Sequence, residues 1–368
     1  MLNTGRLEQA VNRAWYRPKS MQDFLLILAL LPFAILYRAI TAFRSFAYRF
    51  GLFRQHRVNA FVIVVGNISV GGTGKTPFTL ALCRFFEQRS VSYGIVSRGY
   101  GGKSDSYPLE VNESVSAAHC GDEPLMIKCR LGQVPVFVGP DRVATARALL
   151  EKYPVRVIIC DDGLQHYPMA RDKEFVVVDG QRGFGNFLPF PAGPLREPVR
   201  RLACADAVVL NQPKGGAFET VSLVPDSHVA DSHIISRMPD LPRDRLCSMY
   251  LAPRRLVNLK TGKVAEVDSF AGVQVHAVAG IGNPQRFFYT LSGLGIRCSE
   301  HIFPDHHAYQ AMDFVFKEPF PIIMTEKDAV KCSALATEQM WFLVVEAGLP
   351  DVVAEQLVDE TGQCWYAA

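Results

Sequence analysis

Ser69-Val70-Gly71-Gly72-Thr73-Gly74-Lys75-Thr76 follows the apolar run AFVIVVGNI and precedes KTPFTLALCRFFEQ, whose spacing is helical. A glycine-rich turn between a strand and a helix points several backbone N–H groups into one concavity, and the helix adds the positive end of its dipole. Such a turn suits a polyphosphate, with Lys75 reaching the outer phosphates and the Thr76 hydroxyl on a magnesium ion. The usual pattern has a glycine where this chain has Ser69. The plainer alternative is a turn that merely joins two elements, and the flanking strand and helix patterns argue against it.

Other polar clusters stand after apolar runs. VRVIIC (155–160) leads into Asp161-Asp162-Gly163-Leu164-Gln165-His166. An apolar strand ending in Asp places a carboxylate beside a phosphate loop, where it can hold magnesium directly or through water. Either acid could instead cap the turn before Gly163. SYGIVS (92–97) leads into Arg98, and VPVFVG (134–139) into Pro140-Asp141-Arg142. The planar, always-charged fork of Arg142 suits phosphate. Gly121-Asp122-Glu123-Pro124 reads as an acidic turn, ordinarily solvated, in which Asp122 is suited to act as a general base. His306 and His307 are adjacent and have no third ligand at metal spacing. A catalytic or substrate-contacting histidine is the stronger reading, and a surface turn histidine the weaker.

These residues need a scaffold. The chain of 368 residues is 49% hydrophobic and 20% charged, which fits a packed globular protein of about two domains. The strand-like runs at 92–97, 134–139, 155–160, 174–179 and 206–211 alternate with helix-like stretches, the pattern of a mainly parallel sheet covered by helices. Sites then lie at the strands' carboxyl ends. GFGNFLPFPAGPLREP (183–198) reads as a long loop suited to line a site for an apolar substrate. MYLAPRRLVNLKTG and KVAEVDSF read as short strands of a connector joined at Lys260-Thr261-Gly262, and a second alternating segment begins at VHAVAG (275–280). Nine cysteines are scattered without CxxC spacing, which argues for a reducing compartment and against a zinc ribbon.

The formal charge of +3 hides a basic amino terminus, where residues 1–60 carry nine Arg and Lys against Glu8 and Asp23. From Phe24 to Tyr37 the chain is apolar and uncharged, about 21 Å as a helix and short of a hydrocarbon core of about 30 Å. Phe43, Phe46, Phe50 and Phe53 recur at helical spacing with arginines between them. The pattern reads as an anchor lying on or dipping into a membrane, favoured over a signal peptide or a buried core helix.

Taken together, SVGGTGKTP, SRGYGG, GDEP, DDGLQH, PAGPLREP, GIGNPQRFF, FPDHHAY and TEKDAVK, in that order from about residue 60 to 332, resemble the tetraacyldisaccharide 4′-kinases of lipid A biosynthesis. Ser69 matches that family. The resemblance implies an α/β fold of two α/β/α sandwich lobes, a P-loop NTPase core in the first, a short β-ribbon between them and an amino-terminal membrane-associated helix. The corresponding boundaries are 1–56 for the helical segment, 57–245 for the ATP-binding lobe, 246–273 for the ribbon and 274–368 for the second lobe. It further implies ATP and Mg2+, and phosphorylation of the 4′-hydroxyl of a tetraacylated glucosamine disaccharide 1-phosphate. The implied location is the cytoplasmic face of a bacterial inner membrane, whose lipid surface is a partner. Neither nucleic acid nor an obligate protein partner is implied.

By the same resemblance Asp122 and His306 form a base dyad, His306 being preferred to His307 because it follows Asp305 directly. Arg98, Glu123, Arg142, Asp161, Asp162, His166 and Glu197 surround the transferring phosphate, with Thr76, Asp161 and Asp162 toward magnesium. The rival from another class is a membrane-tethered nucleotide-dependent switch or metallochaperone. Asn211-Gln212-Pro213-Lys214 supplies the Asn of a guanine-reading motif without its Asp.

Overall fold

The computed structural model describes residues 4–112, 114–212, 238 and 241–358. Helices α1 (Thr4–Tyr16) and α2 (Met21–Arg49) lead into β1 (Phe61–Gly66), α3 (Lys75–Gln88), β2 (Tyr93–Ser97), β3 (Leu109–Glu110), α4 (Ala117–Cys120) and α5 (Asp122–Leu131). Then come β4 (Val136–Val138), α6 (Arg142–Lys152), β5 (Val157–Asp161), β6 (Lys173–Asp179), β7 (Ala207–Gln212), β8 (Leu246–Asn258) and β9 (Val264–Ala265). The described chain continues through β10 (Gln274–Ala279), α7 (Pro284–Gly293), β11 (Arg297–Ile302), β12 (Ile322–Thr325), α8 (Glu326–Ala329), β13 (Met340–Ala347) and α9 (Asp351–Glu355). It is an α/β protein with a phosphate loop between β1 and α3.

Two compact units divide the chain, one of residues 1–98, 139–251 and 347–368, the other of residues 99–138 and 252–346. The expected boundaries include 99–138 in the ATP-binding lobe, whereas by spatial grouping these residues lie with 252–346. Long-range polar contacts account for the difference: Arg130 pairs with Glu326, and Lys327 Nζ lies 3.1 Å from Glu123 Oε1.

In the first unit a parallel sheet runs β2-β5-β1-β6-β7-β8. Val65 is in register with Asp161, so the strand that feeds the phosphate loop lies beside the strand that ends in the acidic pair. The central strands are buried on both faces, as their continuous Val/Ile runs require. Below them Ile68, Leu164, Phe184, Leu195 and Leu202 pack with β6 and β7.

α2 begins with a capping box in which Ser20 Oγ accepts from Asp23 N and Asp23 Oδ2 from Ser20 N. At 29 residues it is about 44 Å long, more than the uncharged run alone predicts. Leu25, Leu28, Phe33, Ile35 and Leu36 are each more than half exposed, so the buried-core reading does not hold. Tyr37 of α2 meets Phe190 of the 183–198 loop edge-on, and from α1 Trp15 Nε1 donates to Pro191 O at 2.9 Å. Phe53 is not on the helix, which ends at Arg49. The chain turns back, Phe53 N donates to Ala47 O, and its ring reaches Phe43.

The second unit carries parallel pairings of β10 with β11 and β12, and of β12 with β13. Phe287, Phe288 and Leu291 of α7 cover one face, as their helical spacing predicts. Leu256 and Val257 of β8 pair antiparallel with Ala265 and Val264, and the turn between them uses Gly262 at φ +69°. Only Val264 and Ala265 of KVAEVDSF form strand, since Val267–Phe270 closes into a 3-10 turn. The GDEP segment is also not a loose turn. Asp122 is the first residue of α5, where a carboxylate is favoured by the helix dipole and Pro124 costs no hydrogen bond. The eight described cysteines are free, and Cys364 lies outside the described residues.

Candidate active site

The phosphate loop is held from three sides within the first unit. Asn67 Nδ2 donates to Gly71 O at 3.3 Å, Asn211 Nδ2 to Thr73 O at 2.8 Å, and Val70 N to Pro194 O at 2.8 Å. Gly74 sits at φ +97°, and a Cβ there would collide with the Asn211 amide. Gly71 and Gly72 face open space on the side where a Cβ would stand. Lys75 and Thr76 open α3 and are buried.

Lys75 Nζ lies 3.5 Å from Asp162 Oδ1, and Arg196 Nη1 lies 3.2 Å from both Asp162 oxygens. Burial alone would push the Asp162 carboxyl up, but Lys75 and then Arg196 outweigh it and hold the group below the usual carboxylate range. Asp161 ends β5 fully buried, and its Oδ1 accepts from Thr79 Oγ1 at 2.9 Å. The Arg142 guanidinium is buried, donates to the Pro140 and Asp162 carbonyls, and has a buried Nε without a hydrogen-bond partner. Burial first, then Arg142, pushes His166 down to about 4, so its imidazole is neutral at pH 7. Its Nε2 stands 3.9 Å from Asp141 Oδ1.

Glu197 is buried in a separate network, accepting from Gln165 Nε2 at 3.0 Å and Tyr167 Oη at 2.7 Å, with Arg201 at 3.3 Å. The same Gln165 amide donates to Asn67 O, which connects that network to the base of the loop. Arg98 is exposed at the carboxyl end of β2.

Among the described residues no three His, Cys, Asp or Glu side chains converge as a metal site. The donors beside the loop are nevertheless all hard oxygens, the Thr76 hydroxyl and the carboxylates of Asp161 and Asp162. That set fits magnesium, which takes one or two carboxylates and fills its remaining positions with phosphate and water.

Asp122, Glu123 and His306 meet within the second unit. Asp122 Oδ2 is 2.8 Å from His306 Nδ1, across 184 residues of chain, while Asp122 Oδ1 accepts from Glu123 N. The bond pairs a carboxylate with Nδ1–H and leaves Nε2 with its lone pair, the arrangement of an oriented general base. Burial lowers the His306 pKa, the bond to Asp122 raises it, and Lys327 lowers it again; the balance lies above the ordinary value. His306 stands at φ +59°, and its ring contacts that of Tyr100 at 5.0 Å. His307 points elsewhere, with Nε2 3.0 Å from Asp313 Oδ2 and its ring between Phe303 and Tyr309.

Asn67, Arg196 and Asn211 escape a reading by motif. Asn211 stands at the end of an apolar strand, a position that signals a site, but its amide goes to the Thr73 carbonyl and is not presented to a base. Pro213 and Lys214 lie outside the described residues.

Comparison with known proteins matches residues 26–362 to the family described as tetraacyldisaccharide-1-P 4′-kinase. The chain is 44% identical over 336 residues to a tetraacyldisaccharide 4′-kinase of Pseudomonas paraeruginosa, covering 91% of each chain. It is 42% identical over 359 residues to one of Methylobacillus flagellatus, covering 95% of this chain and 94% of that one. The structure of an Aquifex aeolicus LpxK in complex with ATP superposes with a TM-score of 0.67 at 30% identity, over 88% of this chain and 94% of that one.

Proposed function

This chain belongs to the tetraacyldisaccharide-1-P 4′-kinase family, and from that premise we propose that Asp122 and His306 activate the acceptor hydroxyl while the loop from Ser69 to Thr76 holds the ATP phosphates. The activity is ATP-dependent phosphorylation of the 4′-hydroxyl of tetraacyldisaccharide 1-phosphate, which gives lipid IVA in lipid A biosynthesis. Phosphoryl transfer leaves a protein little covalent work, so positioning and charge stabilisation carry the rate. Backbone N–H groups of the loop and the start of α3 bind the phosphate oxygens. Lys75 and Arg142 supply fixed positive charge to the group in flight, and Asp162 orients Lys75. Thr76, Asp161 and Asp162 would hold magnesium, which when bound neutralises phosphate charge. His306 Nε2 takes the hydroxyl proton, and Asp122 steadies the imidazolium that results. Arg98, Glu123, His166 and Glu197 act around these groups.

The single observation that supports this division of labour is the Asp122 Oδ2 to His306 Nδ1 bond, which leaves Nε2 as a proton acceptor. The exposed apolar side of α2, flanked by basic residues, suits an acceptor that resides in lipid and supports our reading of an enzyme associated with the cytoplasmic face of the inner membrane. The test is purified protein with radiolabelled ATP and the disaccharide acceptor, the extracted lipid being examined for label. Label should appear in lipid with the natural chain and disappear with Lys75→Ala, whose fold should be intact. Near-normal turnover by that variant would overturn the phosphate-loop assignment.

A further inference from the structure

The TEKDAVK segment has no part in the mechanism above, yet its Lys327 sits among the carboxylates that surround His306. Lys327 Nζ lies 3.1 Å from Glu123 Oε1, 3.2 Å from Asp305 Oδ1 and 3.8 Å from Asp122 Oδ2, and its side chain is only 15% exposed. That last oxygen is the one to which His306 Nδ1 is bonded, so a fixed ammonium and an ionisable imidazole share one carboxylate atom. Asp305 bridges the two groups from the other side through separate oxygens, with Oδ1 toward Lys327 and Oδ2 3.8 Å from His306 Nε2.

The charged and titratable groups that face His306 are Asp122 from α5, Asp305 from its own loop, Lys327 from α8, and Tyr100 by ring contact, while Glu123 of α5 pairs with Lys327. Lys331 acts on Asp122 from farther along the chain, and Glu326 is turned to Arg130. Two carboxylates therefore face the histidine and a third, Glu123, stands beside them, and Lys327 is in direct contact with all three. Each carboxylate favours the imidazolium, and an imidazolium has no lone pair with which to take a proton. A nearby ammonium opposes that tendency.

We propose that Lys327 is a positioning residue which gathers Asp122, Glu123 and Asp305 and limits their pull on His306, so that a neutral imidazole is available to the acceptor hydroxyl near neutral pH. The proposal rests on the dyad reading given above. Burial and Lys327 both act to lower the His306 pKa, against Asp122 and Asp305. Lys327 stays charged despite burial, because Glu123 and Asp305 raise its own pKa.

The test is the pH dependence of kcat/KM for the full chain, compared with Lys327→Met, Lys327→Arg, Glu123→Gln and the Lys327→Met/Glu123→Gln double variant. Removing the ammonium should raise the His306 pKa and move the acid limb upward by about one pH unit or more. On the limb Lys327→Met should then lose about tenfold in rate and recover at higher pH. Glu123→Gln alone should move the limb down, the double variant should fall between the two singles, and Lys327→Arg should stay near the natural chain. Equal loss at every pH, or an unmoved limb in Lys327→Met and Glu123→Gln, would overturn the proposal. If Lys327→Met fails to fold by thermal unfolding, Glu123→Gln and Asp305→Asn alone decide it, each expected to lower the limb. His306→Ala separates the two ideas: full activity there overturns the dyad, whereas an inactive His306→Ala with an unmoved limb in Lys327→Met overturns only the part given to Lys327.

Discussion

The Asn211 side-chain amide donates to the Thr73 carbonyl at 2.8 Å, so the end of β7 fixes the shape of the phosphate loop 138 residues earlier in the chain. The bond consumes a carbonyl that would otherwise point uncompensated into a buried place. Asn211→Ala should weaken ATP binding by about tenfold, since a buried acceptor left without its donor costs about 1 to 3 kcal/mol. Asn211→Asp should be worse, because a carboxylate cannot donate to Thr73 O and brings negative charge beside the phosphates. Titration with ATP checks both, and an Asp variant that binds as well as the natural chain would refute the role.

Asp122→Asn and His306→Ala should each reduce turnover by about 10²-fold or more while changing ATP affinity little, because a positioned base contributes about 10² to 10⁴. The double variant should be little worse than either single one, as the two side chains act through one hydrogen bond. Fully additive losses in single-turnover measurements would show that they work independently.

His166 carries a pH signature of stability. Its pKa falls from 6.5 in a free chain to about 4 in the fold, through burial and the nearby Arg142. The unfolded chain therefore takes up the proton first. The contribution is complete above about 6.5, disappears as the pH falls toward about 4, and amounts to at most about 3 kcal/mol. Urea unfolding of the natural chain should weaken over that window, and His166→Gln should flatten the slope. Parallel curves for the two chains would assign the pH dependence elsewhere.

The exposed side of α2 offers a membrane test that spares the fold. Truncation would strip the 183–198 loop of its contacts with Trp15 and Tyr37. Leu28 and Phe33 make a cleaner pair, each 63% exposed. Leu28→Ser with Phe33→Ser should lower partitioning onto anionic vesicles by about 10²-fold or more, each large apolar side chain contributing about 1.5 to 3 kcal/mol on burial. ATP binding and thermal unfolding should hardly change. Unchanged vesicle binding would mean that this side of α2 meets something other than lipid.

The phosphate loop and the strands that frame it were legible because their chemistry is local. Glycines, a lysine and a threonine at fixed offsets, with a Val/Ile run ahead, leave few conformations open. The aspartates of β5 were legible for the same reason, since strand ends announce themselves. The partnership of Asp122 with His306 was not, because 184 residues separate them and neither segment has a pattern that points to the other; only family resemblance joined them. Asp122 itself reads as part of a solvated turn, since a Gly before and a Pro after hide the helix that begins there. Phe53 shows the limit of periodicity, which continues past Arg49 although the helix does not.

His306 occupies the left-handed region at φ +59°, which constrains which side chains fit there. Glycine enters that region freely, and Asn, Asp and His are the side chains most often found in it, whereas branched and bulky residues are penalised. Of the tolerated four, Gly has no side chain, Asn has no base, and Asp would add a fourth negative charge beside Asp122, Glu123 and Asp305. Under the proposed role of His306 as base, histidine is the residue among these that satisfies both the backbone and the local charge. A substitution here must therefore meet two demands at once, a left-handed backbone and, under the proposed role, a side chain that can take a proton without adding charge.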